Sequence, residues 1–323
     1  MQLMETRTAR QWNSGTNMAS GSTSDRRAQS PDTAHRPVLV DEVLGYLAPV
    51  PSGVYVDATV GAGGHATAIL EASSPSGRLI GIDRDEAALA TSRKRLECFG
   101  DRVHLHHGTF AHLAEHLEND GSEAVNGIVA DLGLSSMQLA DGDRGFAFSA
   151  EGPLDMRFDR GSGETAAELI DRLSERELAD LLFNLGGERK SRAIARRIVE
   201  RRPIETTRDL RRAVHSVLGS GRRGGIDPAT RTFQALRIAV NRELENLETF
   251  LEVATDKLAP GGRLVVISYH SLEDRAVKWA FREKSKSEMF RVLTRKPLRP
   301  REGEISANRR ARSAKLRALE RVS

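Results

Sequence analysis

Cysteine is nearly absent from this sequence. Cys98 stands alone among 323 residues, so no internal disulfide can form, and this usage fits a reducing, cytoplasmic setting. No apolar run approaches the ~18 residues of a membrane-spanning helix, so no membrane partner is expected. The first 34 residues lack both periodicity and the apolar centre of a secretory signal. Rich in Ser, Thr, Arg and Gln, residues 1–34 read as a disordered leader, with Met18 as an alternative start. No Ser-His-Asp arrangement suggests nucleophilic acyl transfer. His112 and His116 have helical spacing for a metal but no third ligand, so no metal is expected. Acidic residues are scarce in two blocks. Residues 187–242 hold 15 Lys/Arg against 5 Asp/Glu, and residues 284–323 hold 13 against 4. These blocks carry +10 and +9 in a chain whose total is +4, so the remainder carries −15. Two basic blocks on an acidic scaffold point to a polyanionic partner, nucleic acid before a membrane surface, although solvated Arg-rich helices also look this way.

What is present centres on Val54 to His65, read as Val-Tyr-Val-Asp-Ala-Thr-Val-Gly-Ala-Gly-Gly-His. Alternating β-branched residues suit a buried strand. Gly61, Gly63 and Gly64 suit a tight turn that lets backbone approach a ligand, and a helix from about His65 to Ala72 would aim its free N–H groups at that turn. About twenty residues past Gly63, the apolar strand Arg78-Leu-Ile-Gly-Ile-Asp83 ends on a carboxylate. Strand, glycine turn, helix, strand and acid together predict a nucleoside site, with Asp83 on the ribose hydroxyls. The third glycine of a dinucleotide turn is missing. A cofactor without a pyrophosphate, such as S-adenosylmethionine, asks less of the helix N-terminus, which favours a methyltransferase over a dehydrogenase.

Further strands are predicted at Val103 to His107, Gly127 to Leu132 and Leu264 to Ile267. Between the last two the alternation stops. Residues 137–231 show no period-two run but three capping boxes, Thr165 with Glu168, Ser174 with Glu177, and Thr206 with Asp209. They read as an inserted helical substrate-recognition domain, leaving residues 35–136 and 232–323 as the α/β domain. One long helix is predicted from Phe233 to Leu258, stopped by Pro260-Gly261-Gly262. Beyond Ser285 the pattern fades into basic sequence. That tail is expected to bind RNA backbone and to be dispensable for cofactor binding, unless Phe290 to Leu293 forms an edge strand.

Ligands in open parallel sheets bind at the carboxyl ends of strands. That places Gly61 to His65, Asp83, Phe110, Asp131 and Ser268 to Ser271 together. Phe110 is expected against an adenine face or simply in the core. Arg144-Gly-Phe146-Ala-Phe148 and Met156-Arg157-Phe158 interleave arginine with aromatics, as a base-stacking loop would, and core anchoring explains the phenylalanines equally well. Ser271 with Asp274 fits a helix cap, and His270 at the strand end is a candidate for the substrate. A nicotinamide-dependent dehydrogenase and a non-catalytic RNA-binding protein remain as alternatives. The first gives no reason for the basic blocks and the second needs no Asp83.

A series of segments carries a family resemblance: Asp57-Ala-Thr-Val-Gly-Ala-Gly-Gly-His65, Gly81-Ile-Asp-Arg-Asp85, Asp131-Leu-Gly-Leu-Ser-Ser136, Arg144 to Phe148 and Pro153-Leu-Asp-Met-Arg157. Thr232-Phe-Gln-Ala-Leu-Arg-Ile238, Val266-Ile-Ser-Tyr-His-Ser-Leu-Glu-Asp-Arg275 and Arg310-Ala-Arg-Ser-Ala-Lys-Leu-Arg317 continue it. The chain resembles the small-subunit (16S) ribosomal RNA cytosine-N4 methyltransferase family (RsmH, also called MraW) from about His35 to Glu320. The resemblance implies an α/β fold, a Rossmann-like S-adenosylmethionine-dependent methyltransferase domain with an inserted all-helical domain. It implies methylation of a cytosine near the decoding centre of the small ribosomal subunit, with ribosomal RNA or the assembled subunit as partner. A homodimer is one option for the assembly state. Cofactor contacts carry over to Gly63, Gly64, His65, Asp83, Phe110, Asp131 and Gln138. Ser135, Arg144, Phe146 and His270 are the substrate-side candidates. Asp131 and its loop are the expected acceptor of an amine hydrogen. Tyr269 and Arg309 depart from the expected phenylalanine and proline.

Overall fold

The computed structural model describes residues 37–147, 151–221 and 225–323. The expected leader (residues 1–34), His35 and Phe148 lie outside the described residues. Seven strands form one sheet: β1 (Val54–Asp57), β2 (Arg78–Asp83), β3 (Val103–His107), β4 (Val125–Asp131), β5 (Leu258–Ser268), β6 (Phe290–Val292) and β7 (Lys315–Arg321). Their spatial order is β3-β2-β1-β4-β5-β7-β6. The first five are parallel, and β7 runs antiparallel to both β5 and β6. The order reverses between β1 and β4, which opens a crevice at their carboxyl ends.

The helices follow in chain order. α1 (Val40–Leu47), α2 (Gly64–Ala72), α3 (Glu86–Leu96), α4 (Leu113–Asn119) and α5 (Ser136–Ala140) accompany the first four strands. α6 (Ala166–Arg172), α7 (Glu175–Gly186), α8 (Ser191–Val199), α9 (Thr207–Leu218), α10 (Thr230–Val240) and α11 (Glu243–Asp256) precede β5. α12 (Ser271–Lys284) and α13 (Glu302–Ala307) lie in the C-terminal part. Period-two alternation covers both sheet faces. Val56, Ile80, Ile82, Ile128, Ala130, Leu264 and Val266 pack with residues of α4, α11 and α12. Tyr55, Leu79, Val129, Val265 and Ile267 pack with residues of α1, α2 and α3. Both faces are dry, which suits parallel strands. A third apolar cluster joins α6 to α10.

Between β4 and β5 the described residues contribute no strand to the sheet, and Pro153 forms only an isolated bridge with Thr206. The capping boxes at Thr165/Glu168 and Ser174/Glu177 are reciprocal, while the Thr206 hydroxyl caps α9 by accepting the Asp209 N–H and donating to the Asp209 carboxylate. Among the described residues no helix is long and apolar enough to cross a membrane.

Three expectations need correction. The long helix predicted from Phe233 to Leu258 is two helices. Arg242 is left-handed at φ 49°. Asn241 donates to the carbonyls of Met156 and Arg237 and accepts the Phe158 N–H, which anchors the break. The apolar stripe runs on, but Leu236 faces the helical cluster and Leu247 faces the sheet. Secondly, Pro260-Gly261-Gly262 lies inside β5 as a bulge, so Val125 faces Leu258 and Gly127 faces Arg263. Thirdly, the basic tail is not a dispensable appendage, because it supplies β7 and the edge strand β6. Several of its cations are neutralised internally: Lys315 and Arg317 by Asp274, and Arg291, with Arg263 of β5, by Glu320.

Candidate functional site

A cleft of about 470 Å³ opens at the switch point, within the range of small-ligand sites. Its floor is the glycine turn. Gly61 (φ 51°) and Gly63 (φ 79°) take left-handed conformations that a side chain would strain. At Gly64 a Cβ would come within 2.9 Å of Pro37, so its absence lets the N-terminal approach lie against α2. His65 fastens that approach, its Nε2 lying 2.9 Å from the Val38 carbonyl.

Asp83 ends β2 at the rim. Its Oδ2 accepts the Gly61 N–H at 2.8 Å and its Oδ1 accepts the Asp85 N–H at 2.9 Å. Burial raises its pKa to about 6 against the pull of those N–H donors. Each oxygen keeps a second lone pair, as the two hydroxyls of a ribose require. Asp57, ending β1, is almost fully buried and likewise raised to about 6 by burial, with His65 and the Thr59 N–H opposing. Its Oδ2 has no hydrogen-bond partner. Sequence reading passed over Asp57 as a strand residue, although it ends β1 as Asp83 ends β2.

Asp131 ends β4, with its backbone N–H on Thr59 Oγ1 at 2.7 Å and His65 Nδ1 4.0 Å from its carboxylate. Burial, then the charge of Asp131, pushes the Tyr269 phenol well above its ordinary value, and the phenol hydrogen-bonds this carboxylate. The hydroxyl gained where phenylalanine was expected is therefore put to use, and part of Asp131's accepting capacity is committed to it.

Phe110 lines the cleft with its ring edge-on to Phe250, 5.1 Å between centroids. One ring thus packs on the core and also faces the cleft. The loop after β4 is held by a buried network. Asp85 caps α3 through Oδ1, while its Oδ2 accepts Gln138 Nε2 at 2.9 Å and Arg144 Nη1 at 2.8 Å. Gln138 Oε1 accepts the Ser135 N–H, completing a capping box that sequence reading missed.

Of the eleven sequence-derived candidates, Gly64, His65, Asp83, Phe110, Asp131, Ser135, Gln138, Phe146 and His270 line the cleft; Gly63 and Arg144 do not. Gly63 shapes the turn from behind, next to Leu96. Arg144 is buried in its ion pair with Asp85 and bonds the Arg157 and Phe158 carbonyls, so it builds the scaffold and presents no face to a base. Phe146 stacks on Phe158 at 5.4 Å and belongs to the helical cluster while also reaching the cleft.

The opposite wall was not legible beforehand. α10 and α11 bring Gln234, Arg237, Glu243 and Asn246 to the cleft, and the C-terminal segment brings Asn308, Arg310 and Ser313. Arg237 donates Nε and Nη2 to the two Glu243 oxygens at 2.7 and 2.8 Å. His270, not Ser271, caps α12: its Nδ1 accepts the Glu273 N–H, while Glu273 Oε2 takes the Tyr269 and His270 N–H groups. Asp274, expected in the cap, instead holds Lys315 and Arg317. Glu243, His270 and Glu273 bring donor atoms within 4.8 Å of one another. His270 Nε2 lies 3.0 Å from Glu273 Oε1, so the imidazole and the two carboxylates share one corner of the cleft. His112 and His116 diverge, His112 exposed and His116 tilted against His106.

Comparison with known proteins adds an independent line. The family model described as the MraW methylase family matches residues 32–322. The Ribosomal RNA small subunit methyltransferase H of Sorangium cellulosum (strain So ce56) is 57% identical over 291 residues, covering 89% of this chain and 91% of that protein. The protein of the same name from Gloeobacter violaceus (strain ATCC 29082 / PCC 7421) is 52% identical over 293 residues, covering 90% of each.

Proposed function

The chain belongs to the MraW methylase family, and from that premise we propose that it transfers the methyl group of S-adenosylmethionine to the exocyclic N4 of a cytosine in small-subunit ribosomal RNA, near the decoding centre. The observation that carries the cofactor assignment is the pairing of Asp83 with the Gly61 turn at the switch point. A desolvated carboxylate with unused lone pairs beside a side-chain-free turn fits a nucleoside with an adjoining chain. The cofactor supplies an electrophilic methyl on a sulfonium. Gly64 and His65 would border its amino-acid part, Asp83 its ribose and Phe110 its base. Gln138 contributes by holding the Ser135 loop in place, its amide being spent on Ser135 and Asp85.

Cytosine N4 is a poor nucleophile because its lone pair is delocalised into the ring. Catalysis therefore rests on in-line positioning and on an acceptor for the amine hydrogen. Asp131 supports that role from the cofactor side while Tyr269 orients it. Glu243, held by Arg237 on the facing wall, is a second acceptor whose oxygens retain free lone pairs. The base leaves its stack to reach this cleft. Residues 137–231 serve as the substrate-recognition part, their described apolar residues sharing one cluster with Phe233, Ala235 and Leu236 of α10. The dehydrogenase and non-catalytic alternatives are not favoured by membership of a methylase family.

Mass mapping of modified nucleosides in small-subunit ribosomal RNA tests the reading. N4-methylcytidine at one site should disappear without this protein and return when purified protein and S-adenosylmethionine are added to RNA or to small subunits. Methylation elsewhere on the base, or none, overturns it. Stabilisation by a nicotinamide dinucleotide in place of S-adenosylmethionine would revive the dehydrogenase.

A further inference from the structure

α12 begins at the cleft, where His270 and Glu273 line the wall, and its later turns pack on the sheet through Val277 and Phe281. Its inner face is Glu273, Val277 and Phe281, all buried. Its outer face carries Arg275, Lys278, Trp279 and Arg282, all exposed. At 3.6 residues per turn, these four positions fall within an arc of roughly 100°. Trp279 is 52% exposed, an unusual place for the side chain with the largest apolar area. The Arg282 guanidinium lies 5.4 Å from its ring centroid and braces it.

The charges around this stripe are unbalanced. Glu273 points into the cleft, Asp274 is held by Lys315 and Arg317, and Glu283 pairs with Lys286. Arg275 and Lys278 make no ion pair among the described residues. The outer face thus presents three cations around an aromatic plate, none of them in an ion pair among the described residues. Such a surface is complementary to a single-stranded polyanion with exposed bases, where cations track the backbone and an aromatic stacks a base. Trp279 lies about 12 Å along the helix from Ser271, at 1.5 Å per residue, a span of two or three nucleotides from the cleft.

We propose that the outer face of α12 is a track for single-stranded RNA, on which a base flanking the target stacks on Trp279 while Arg275 and Lys278 hold its phosphates. This rests on the ribosomal-RNA methyltransferase reading and deepens it, by placing the flanking strand on a defined helix face.

The test uses the full chain. In a Trp12→Phe background Trp279 is the only tryptophan, and its emission should be quenched when short oligocytidylate is added. Trp279→Ala should weaken oligocytidylate binding about tenfold with an unchanged salt slope, the signature of a lost stack. Arg275→Ala with Lys278→Ala should instead flatten the slope of log affinity against log salt, by roughly 0.7 for each phosphate contact removed. S-adenosylmethionine affinity should be unchanged in all of them. Unquenched emission, or unaltered RNA affinity in a folded Trp279→Ala protein, overturns the proposal. A sedimentation shift on Trp279→Ala would overturn it too, since the plate would then join two copies of this chain. If the alanine variant does not fold, the emission measurement decides alone. If the unaltered protein methylates ribosomal RNA and these arms fail, only the track is wrong. If it methylates no RNA, the underlying reading has failed.

Discussion

Single residues at the carboxyl ends of β1 and β2 carry opposing demands of stability and binding. Asp83 is the clearest case. If it accepts both ribose hydroxyls as proposed, Asp83→Ala should weaken S-adenosylmethionine binding by about 1.5–3 kcal/mol in a protein that stays folded, read by titration calorimetry. Its pKa of about 6 also predicts that affinity falls as pH drops through that value, because the protonated acid accepts poorly. Asp57 shows the stability side. Its folded pKa is raised from 3.8 to about 6. The folded state therefore holds a proton that the unfolded state has already released, and the stabilisation present below pH ~4 is lost as pH rises through ~6. By linkage this amounts to about 3 kcal/mol. Asp57→Asn should abolish that decline and raise the melting temperature at neutral pH. A variant whose melting temperature follows pH as the parent's does would refute the assignment. Asp83 was visible in the sequence as a strand end, whereas Asp57 read only as a residue within its strand. That burial, and not an ion pair, dominates their titration was visible only once the surrounding helices were in place.

At the scale of elements, junctions decide more than the elements do. The break between α10 and α11 hangs on Asn241, whose amide makes three hydrogen bonds to the Met156–Phe158 loop and to Arg237. Asn241→Leu leaves the buried Met156 carbonyl and the half-buried Phe158 N–H unpaired, at about 1–3 kcal/mol for the carbonyl. The denaturation midpoint should fall accordingly, with an unchanged slope. The same loop carries Phe158, so cleft geometry and activity should suffer with it. Helical periodicity could not reveal this break, since apolar spacing continues through it and only the identity of the facing core changes. The C-terminal strands teach a similar lesson. Lys315 to Arg321 reads as basic tail because its charges are matched only by groups distant in sequence, Lys315 and Arg317 by Asp274 of α12, and Glu320 by Arg263 and Arg291. Truncation after Glu283 removes β6 and β7 and exposes Leu264 and Val266 of β5. It should therefore abolish cooperative melting in circular dichroism, and not merely flatten a salt slope.

For the whole molecule, the cleft couples cofactor to fold. Its walls come from the glycine turn, the loop after β4, the α10–α11 junction and the segment around Arg310, which are far apart in the chain. A ligand touching all of them stabilises the folded state by mass action, about 2.7 kcal/mol at a hundredfold excess over Kd. A thermal scan should show this as a melting rise of several degrees with S-adenosylmethionine, much reduced in Asp83→Ala at the same concentration. An equal rise in that variant would place the cofactor elsewhere.

The sequence by itself determined the α/β order, the glycine turn, the acids Asp83 and Asp131 at strand ends and the helical character of the described residues between 151 and 221. Each of these is written in local periodicity or in residues a few positions apart, where steric and hydrogen-bonding rules act within one element. Only the tertiary structure decided that Arg144 serves Asp85, that Gln138 fixes a loop, that Arg237 and Glu243 face the glycine turn, and that the basic tail closes the sheet. Those outcomes depend on which distant groups share a desolvated space, and long-range burial leaves no period in the chain.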